Sequence, residues 1–142
     1  MIEMELNKII IDEKRHDQII VLKEKSGNRV LPIVIGMAEA SSIKMKLTGF
    51  EPPRPLTHDL LKLTIETLDA KLQKVLIDRF QANTFYAKLI LSANGSSGAE
   101  EKVKIVDARP SDAIALAVRM KSPIFVEEEV LKQSELLNEE DT

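Results

Sequence analysis

Hydrophobic residues recur at short intervals through the first 36 positions, in a pattern that predicts three strands. The three segments are residues 4–11, 18–23 and 29–35. Between the first two, residues 12–17 are expected to form a charged turn with His16 at the surface. Pro32 lies inside the third segment. Because proline donates no hydrogen bond to a neighbouring strand, we expect this position to face a sheet edge or a bulge.

A change to spacings of three and four residues then predicts two helices. The first covers residues 37–47, and a proline-rich connection, residues 51–55, separates it from the second. Thr57 is expected to be the N-cap of the second helix, with Asp59 near the positive end of its dipole. The residues expected on the buried faces are Ala40, Ile43, Leu47 and Phe50 in the first helix, and Leu60, Leu61, Thr64, Ile65 and Leu68 in the second.

The second half of the chain predicts four more strands and one strongly apolar helix. The expected strands are residues 71–79, 84–92, 103–106 and 124–126. Residues 110–120 predict a helix capped by Ser111 or Asp112, and apolar side chains surround it almost completely. Such a helix is usually enclosed by a sheet, by another helix or by a second subunit. Residues 94–98 are polar and glycine-rich, and we expect a flexible loop there.

Blocks of strands and helices are segregated rather than strictly alternating, which predicts an α+β fold. We expect a mixed, mainly antiparallel sheet with about three to four helices in a single domain. The domain is expected to cover residues 1–131 and to end in a helix around Val130 and Leu131. Residues 132–142 then form an acidic C-terminal tail that frays.

The amino-acid composition excludes several kinds of metal site and of cross-link. The 142 residues include no cysteine and only two histidines, which excludes disulfides, iron–sulfur clusters, thiolate zinc sites and multi-histidine metal sites. The net charge is −3, and residues 127–142 hold seven acidic side chains against one lysine, so the rest is nearly neutral. Residues 1–126 therefore lack the strongly positive surface that binds duplex DNA by counterion release alone. Without cysteine, a basic leader or an apolar run of about 18 residues, we expect a cytoplasmic protein with no membrane segment.

The first candidate for chemistry is the segment Arg54-Pro55-Leu56-Thr57-His58-Asp59. An arginine, an imidazole and a carboxylate meet there at a helix N-terminus, whose free N–H groups suit an anion such as phosphate. His58 can act as a general acid or base because imidazole titrates near neutral pH. The alternative is a capped helix in which His58 and Asp59 only satisfy backbone groups.

The second candidate is the segment Asp107-Ala108-Arg109-Pro110-Ser111-Asp112. Its two aspartates can jointly hold Mg²⁺ or Mn²⁺, which prefer oxygen ligands, and Arg109 can clamp a phosphate. Glu39, in the first turn of a predicted helix, is a third acidic ligand in this hypothesis. Each residue has a structural alternative: the aspartates can pair with arginines and cap the helix, and Glu39 can complement the helix dipole.

In sequence order, these segments closely resemble the bifunctional nuclease domain family. The matching segments are Leu31-Pro32-Ile33-Val34-Ile35-Gly36, Glu39-Ala40, Arg54-Pro55-Leu56-Thr57-His58-Asp59-Leu60, Phe85-Tyr86-Ala87-Lys88-Leu89, Asp107-Ala108-Arg109-Pro110-Ser111-Asp112-Ala113 and Pro123-Ile124-Phe125-Val126. The resemblance covers residues 4–131. It implies an α+β domain with nuclease activity on DNA and RNA, found alone in bacteria and joined to other modules in plants. Family members usually have a glycine where Leu68-Asp69-Ala70 stands, so we expect a different helix end here.

These observations lead to the hypothesis of a metal-assisted nuclease that hydrolyses phosphodiester bonds. The predicted catalytic residues are His58, Asp59, Asp107 and Asp112. The predicted phosphate ligands are Arg54, Arg109, Thr57 and Ser111. The predicted ligands of Mg²⁺ or Mn²⁺ are Asp107, Asp112, Asp59 and Glu39. The rival hypothesis is a non-catalytic structural or regulatory anion-binding protein, in which the same residues form a buried ion-pair network. We expect a homo-oligomer.

Overall fold

Strands and helices follow one another in segregated blocks, as the sequence predicts. The computed structural model describes residues 1–12, 14, 17–93 and 102–140, with side chains as far as residue 136. The strands are β1 (Ile2–Ile10), β2 (Asp17–Glu24), β3 (Val30–Gly36), β4 (Ala70–Gln81), β5 (Thr84–Ala93), β6 (Lys102–Ala108) and β7 (Ile124–Val126). The helices are α1 (Met37–Leu47), α2 (Thr57–Thr67), α3 (Pro110–Met120) and α4 (Glu128–Glu140). The α+β prediction is confirmed, and the predictions for His16 and residues 94–98 lie outside the described residues.

All seven strands join in one sheet, in the order β3-β2-β1-β7-β4-β5-β6. Neighbouring strands are antiparallel except β7 and β4, which run parallel, so the mainly antiparallel mixed sheet is confirmed. β7 lies between β1 and β4 and therefore links the N-terminal strands to the β4–β5–β6 meander. β3 is an edge strand, which confirms the expected place of Pro32. In the register of β2 and β3, Pro32 lies opposite Val21.

The apolar helix α3 lies at the centre of the core. Its residues Ala113, Ile114, Ala115, Leu116 and Ala117 have no exposed surface. α3 packs against α1 and α2 and against strands β4 and β5, so elements of its own chain enclose it. The hydrophobic effect therefore accounts for this helix without a second subunit. Within the described residues, no helix is both long and apolar enough to cross a membrane.

The sheet curls around α4. This helix packs against both β4 and β3, which are not neighbours in the sheet, and buries Val130 and Leu131. Arg29, directly before β3, donates to both carboxylate oxygens of Glu128, at 2.6 and 2.9 Å. This bidentate pair joins the first turn of α4 to the start of β3. α4 continues to Glu140, beyond residue 131, where the sequence places the end of the domain.

The predicted helix caps are wrong. α2 begins at Thr57 with Leu56 as its N-cap, and the Asp59 carboxylate accepts the Leu56 N–H at 3.1 Å. α3 begins at Pro110 with Arg109 as its N-cap. Proline favours the first helical position, where its missing N–H is not needed, and keeps the preceding residue extended. The residues predicted as caps, Thr57, Ser111 and Asp112, all lie inside their helices.

The apolar faces of α1 and α2 are less buried than the sequence predicts. The buried members are Ala40, Ile43 and Ile65, and Leu61 is half-buried. The exposed members are Leu47, Phe50, Leu60, Thr64 and Leu68. α2 rests on α3 and on β4, and no described element covers its far side. The spacing of the apolar residues therefore predicts helix α2 correctly, but other elements cover only a narrow face of this helix.

The end of α2 shows the effect of the missing glycine. Asp69 follows the C-cap residue Leu68 and has a φ of 57°. Glycine adopts this left-handed backbone without steric cost, whereas a residue with a Cβ is strained there. The helix end therefore has an aspartate in the left-handed conformation that glycine adopts most easily.

Candidate functional site

Residues from three separate motifs meet where α1, α2 and α3 begin. Glu39 lies in the first turn of α1, His58 in that of α2 and Asp112 in that of α3, and Arg109 directly precedes α3. With Ser42 of α1 these residues form one continuous series of hydrogen bonds, called the motif network below. The three helix starts meet because α3 packs against both α1 and α2.

Arg109 is the exposed cation of the motif network. Its Nη2 donates to Glu39 Oε1 at 3.1 Å and its Nε to Asp112 Oδ2 at 2.8 Å, while 67% of its side chain stays exposed. The hydrogen bond to Asp112, with a smaller contribution from Glu39, raises the pKa of Arg109. The guanidinium is therefore always charged. The planar N–H donors of the guanidinium match two oxygens of a phosphate, and its exposed side is accessible to a phosphate group.

His58 supports Asp112 from the protein interior. Its Nε2 lies 2.9 Å from Asp112 Oδ1 and its Nδ1 lies 2.7 Å from Ser42 Oγ, and 11% of the side chain is exposed. An ionised carboxylate only accepts hydrogen bonds, so we infer that Nε2 carries a proton and donates to Asp112. A neutral ring then accepts the Ser42 hydroxyl proton at Nδ1. Both ring nitrogens are thus engaged.

Asp112 stays ionised at neutral pH. Burial by itself would raise the pKa of Asp112, but the hydrogen bonds from Arg109 and His58 outweigh it and leave this pKa below its ordinary value. The side chain is 31% exposed, so the carboxylate also reaches solvent. A charged, partly exposed carboxylate next to an exposed guanidinium is able to orient a water molecule or a polar substrate group.

Glu39 keeps its position because Gly36 has no side chain. The Glu39 carboxylate folds back over Gly36, and a Cβ at position 36 would overlap its Oε2. Gly36 itself has an extended backbone, so the close approach and not the dihedral angle explains the glycine.

A buried arginine outside the sequence-based candidates ties the three helices together. Arg119 of α3 has a 4% exposed side chain and donates to Asp59 Oδ1 at 2.8 Å, to Ala115 O at 3.0 Å and to Ser42 O at 3.1 Å. Burial raises the pKa of Asp59, but the bonds from Arg119 and the Leu56 N–H outweigh it, so this pKa is lowered. The available sequence signal was a lone arginine within a strongly apolar helix, which is typical of a buried ion pair.

The other predicted site residues form no hydrogen bond with the motif network. Arg54 and Thr57 are exposed, and neither side chain has a hydrogen-bond or ion-pair partner in the described part of the chain. Asp107 is exposed on the edge strand β6, opposite Lys88 of β5. Ser111 is buried and lines the groove described next. The structure thus joins Glu39, His58, Arg109 and Asp112, places Asp59 beside them, and leaves Arg54, Thr57 and Asp107 outside.

A groove of about 690 Å³ runs beside Arg109. Its walls come from β2, β3, the β4–β5 hairpin, α4 and the start of α3, where Arg109 and Ser111 line it. Phe80 and Phe85 add a pair of rings with centroids 4.4 Å apart. The Arg109 side chain therefore belongs both to the motif network and to the groove. A second groove, of about 740 Å³, lies at the other end of α3, and none of the predicted site residues line it.

The carboxylates are held by arginines rather than grouped around a cation position. Among residues 1–12, 14, 17–93 and 102–136, no three His, Asp or Glu side chains are placed to hold a metal ion. The Arg109 guanidinium lies between Glu39 and Asp112, and Arg119 binds Asp59. As arranged, these side chains do not fit a resident divalent ion, and Mg²⁺ or Mn²⁺ stays a prediction.

The fold and the motif network define a class of protein: an α+β domain with a charged site at converging helix N-termini. Residues 20–139 match the family model of the bifunctional nuclease domain, and the chain belongs to this family. An uncharacterised protein of Mycobacterium tuberculosis is 43% identical over 135 residues, which cover 95% of this chain and 77% of that protein. Bifunctional nuclease 1 of Arabidopsis thaliana is 30% identical over 115 residues, 81% of this chain and 34% of that protein. Bifunctional nuclease 1 of Oryza sativa subsp. indica is 29% identical over the same shares. The family resemblance is therefore confirmed.

Proposed function

We propose that this chain is a nuclease that hydrolyses phosphodiester bonds of DNA, RNA or both. Membership of the family and the plant relatives named bifunctional nuclease support this reaction class. The motif network carries the proposal, because three segments that define the family resemblance meet in it. Its cation is 67% exposed, and exposed ion pairs contribute little to stability, so a binding role explains Arg109 better.

Arg109 binds a phosphate of the substrate in this proposal, and the adjacent groove receives the neighbouring nucleotide. Phe80 and Phe85 offer aromatic surface there, and base–aromatic stacking contributes about 1–3 kcal/mol per base. Ser111 adds a hydroxyl at the same wall. A base can enter the groove only when it is unpaired, so we expect single strands to bind more tightly than duplexes.

Asp112 is the carboxylate that faces the reacting phosphate in this proposal. It orients the attacking water, and the neighbouring Arg109 neutralises charge that develops on the phosphate. His58 acts as a positioning residue, since its proton on Nε2 holds Asp112 and its bond with Ser42 fixes the ring. Direct proton transfer by His58, the expectation from the sequence, requires the ring to release one of these two partners.

The charge of the motif network supports the predicted assistance by a divalent cation. Glu39 and Asp112 carry two negative charges against the one positive charge of Arg109, so one negative charge is in excess while His58 is neutral. A phosphodiester brings a further negative charge, which this excess repels. We therefore propose that cleavage requires Mg²⁺ or Mn²⁺ that arrives with the substrate phosphate and is not held by the protein beforehand, with Glu39 and Asp112 among its predicted ligands.

Cleavage of labelled single-stranded DNA, duplex DNA and RNA by the purified protein tests the proposal. Arg109→Ala and His58→Ala are each expected to lower the rate at least about tenfold. Arg29→Ala is the matched control, because Arg29 likewise joins two carboxylates, Glu24 and Glu128, outside the motif network. We expect the control to keep the parent rate.

Equal cleavage by the parent and by both network variants would contradict the proposed site. Each reaction is repeated with EDTA and after addition of excess Mg²⁺ or Mn²⁺. Loss of activity in EDTA and its return with the metal are expected. Activity that persists in EDTA would remove the metal from the proposal and leave the nuclease assignment in place.

The rival hypothesis is that the network is purely structural. The contacts of Asp59 support this hypothesis for that residue. Asp59 is held by the buried Arg119 and caps the start of α2, which is the arrangement of a structural ion pair. If the whole motif network were structural, Arg109→Ala would lower the unfolding midpoint and the parent would leave nucleic acid intact. Measuring cleavage and unfolding on the same samples separates the two hypotheses.

A further inference from the structure

We infer that two copies of this chain associate through the side of α2 that faces away from α3. Leu56, Leu60 and Leu63 follow one another at spacings of four and three residues and are 41%, 58% and 46% exposed. Thr67 continues the same stripe one turn further on. We call these four residues the outer stripe. Ile65, on the opposite side of the helix, is buried.

The outer stripe has no charged residue on it or on one of its flanks. The residues on that flank are Thr57, Thr64 and Leu68. All three charged residues of α2 lie on the other flank, where Asp59 binds Arg119 and Lys62 lies 4.0 Å from Glu66. A solvent-facing helix normally directs its charges outward, whereas the centres of protein interfaces are depleted of charge. The composition of the outer stripe is that of an interface.

Further exposed apolar residues lie close in sequence to the outer stripe. Leu47 and Phe50, which precede α2 in the chain, are 54% and 57% exposed, and Leu68 at its end is 72% exposed. Together with the three leucines of the outer stripe, these make six exposed apolar side chains with a summed exposed area on the order of 600 Å². An interface that covered all six side chains in both copies would bury on the order of 1,200 Å², which is the lower end of specific interfaces.

A second copy fits the outer stripe better than other partners do. When the stripe packs antiparallel against its own copy, Leu60 lies near Leu63 of the second copy, and Leu56 lies near Thr67. Nucleic acid requires cations on the surface that binds it. A helix that lies on a membrane usually carries Lys or Arg beside its apolar face. The outer stripe itself carries no cation, and Lys62, the lysine on its flank, lies 4.0 Å from Glu66. This inference does not depend on the nuclease proposal.

Sedimentation equilibrium of the full chain at several concentrations tests the inference. We expect the parent to form a dimer or a larger closed assembly built from dimers. Leu60→Glu should weaken association at least about a hundredfold, because it places two buried charges in the interface. Its unfolding midpoint at dilution to monomer should match that of the parent, since the side chain is solvent-exposed in one chain. Ile105→Glu is the matched control: Ile105 is 61% exposed on β6, and its substitution should leave the assembly intact.

The absence of cysteine from the chain permits a second, geometric test. Leu60→Cys and Ile105→Cys each introduce a single thiol, and a short bis-maleimide should join two chains at position 60 but not at position 105. A monomeric parent, an assembly that persists in Leu60→Glu, or cross-linking at position 105 alone would overturn the inference. A monomeric parent that sediments with lipid vesicles would equally overturn it and assign this side of α2 to a membrane surface.

Discussion

Arg119→Met removes the buried cation that joins α1, α2 and α3 beneath the motif network. Methionine is unbranched and flexible, so we expect it to fill most of the volume and keep α3 packed. Asp59 loses its charged partner, and the carbonyl groups of Ala115 and Ser42 lose their side-chain donors. The variant therefore isolates the contribution of the ion pair from that of apolar packing.

The expected cost follows from burial. Removing one partner of a buried ion pair costs about 3–5 kcal/mol. Because 28% of the Asp59 side chain is exposed, water replaces part of the lost contact, and we expect a loss of about 2–4 kcal/mol. For a chain of this length that corresponds to a fall in Tm of about 6–15 °C. Burial then acts on Asp59 without the opposing bond from Arg119, so the pKa of Asp59 should rise.

Urea unfolding followed by far-ultraviolet circular dichroism measures the effect, since the chain has no tryptophan for fluorescence. Lys62→Met is the control: Lys62 lies on the surface of α2 and only approaches Glu66, so its loss should change stability by less than about 0.5 kcal/mol. A loss below about 1 kcal/mol for Arg119→Met would refute the structural role given to this ion pair.

Three further predictions concern the same region. Gly36→Ala should displace the Glu39 carboxylate and lower the cleavage rate severalfold with little change in the unfolding midpoint; a rate equal to that of the parent would contradict this. Asp69→Gly should raise stability in urea by about 0.5 kcal/mol, because glycine adopts a φ of 57° without strain, and a loss would speak against it. The pKa values of Asp59 and Asp112 are lowered in the folded state, so their stabilisation is present above the unfolded pKa and is lost as pH falls through the folded pKa. Urea midpoints should therefore fall below about pH 5, and a midpoint constant to about pH 3 would exclude this contribution.

The elements of this fold could be predicted from the sequence where local signals are strong. The bounds of α1 and α3 and of β7 agree with the predicted residues 37–47, 110–120 and 124–126. Pro110 marks the start of α3, and the spacing of apolar residues marks its length. The burial of α2 could not be predicted in the same way. Periodicity shows that a helix has an apolar face, but it does not show whether another element covers that face.

Four residues of the candidate site could be predicted from the sequence, but Ser42, Arg119 and the contacts between the residues could not. Glu39, His58, Arg109 and Asp112 were found from residue type and motif spacing. Their contacts depend on how α3 packs against α1 and α2, which no local pattern specifies. Asp107 is a second example of this limit. It lies on strand β6, whereas Asp112, five residues later, lies on helix α3. Their short separation in sequence therefore does not place the two side chains in contact.

Asp112→Asn is the sharpest test of whether the motif network cleaves nucleic acid. Asparagine retains an oxygen that can accept the His58 proton, but it removes the negative charge beside Arg109. Under single-turnover conditions, with both proteins purified identically, we predict that the variant cleaves a labelled single strand at least about tenfold more slowly than the parent. We also predict that the variant stays folded under the assay conditions, as far-ultraviolet circular dichroism would show. Equal cleavage by the two proteins would show that the activity does not arise in the motif network.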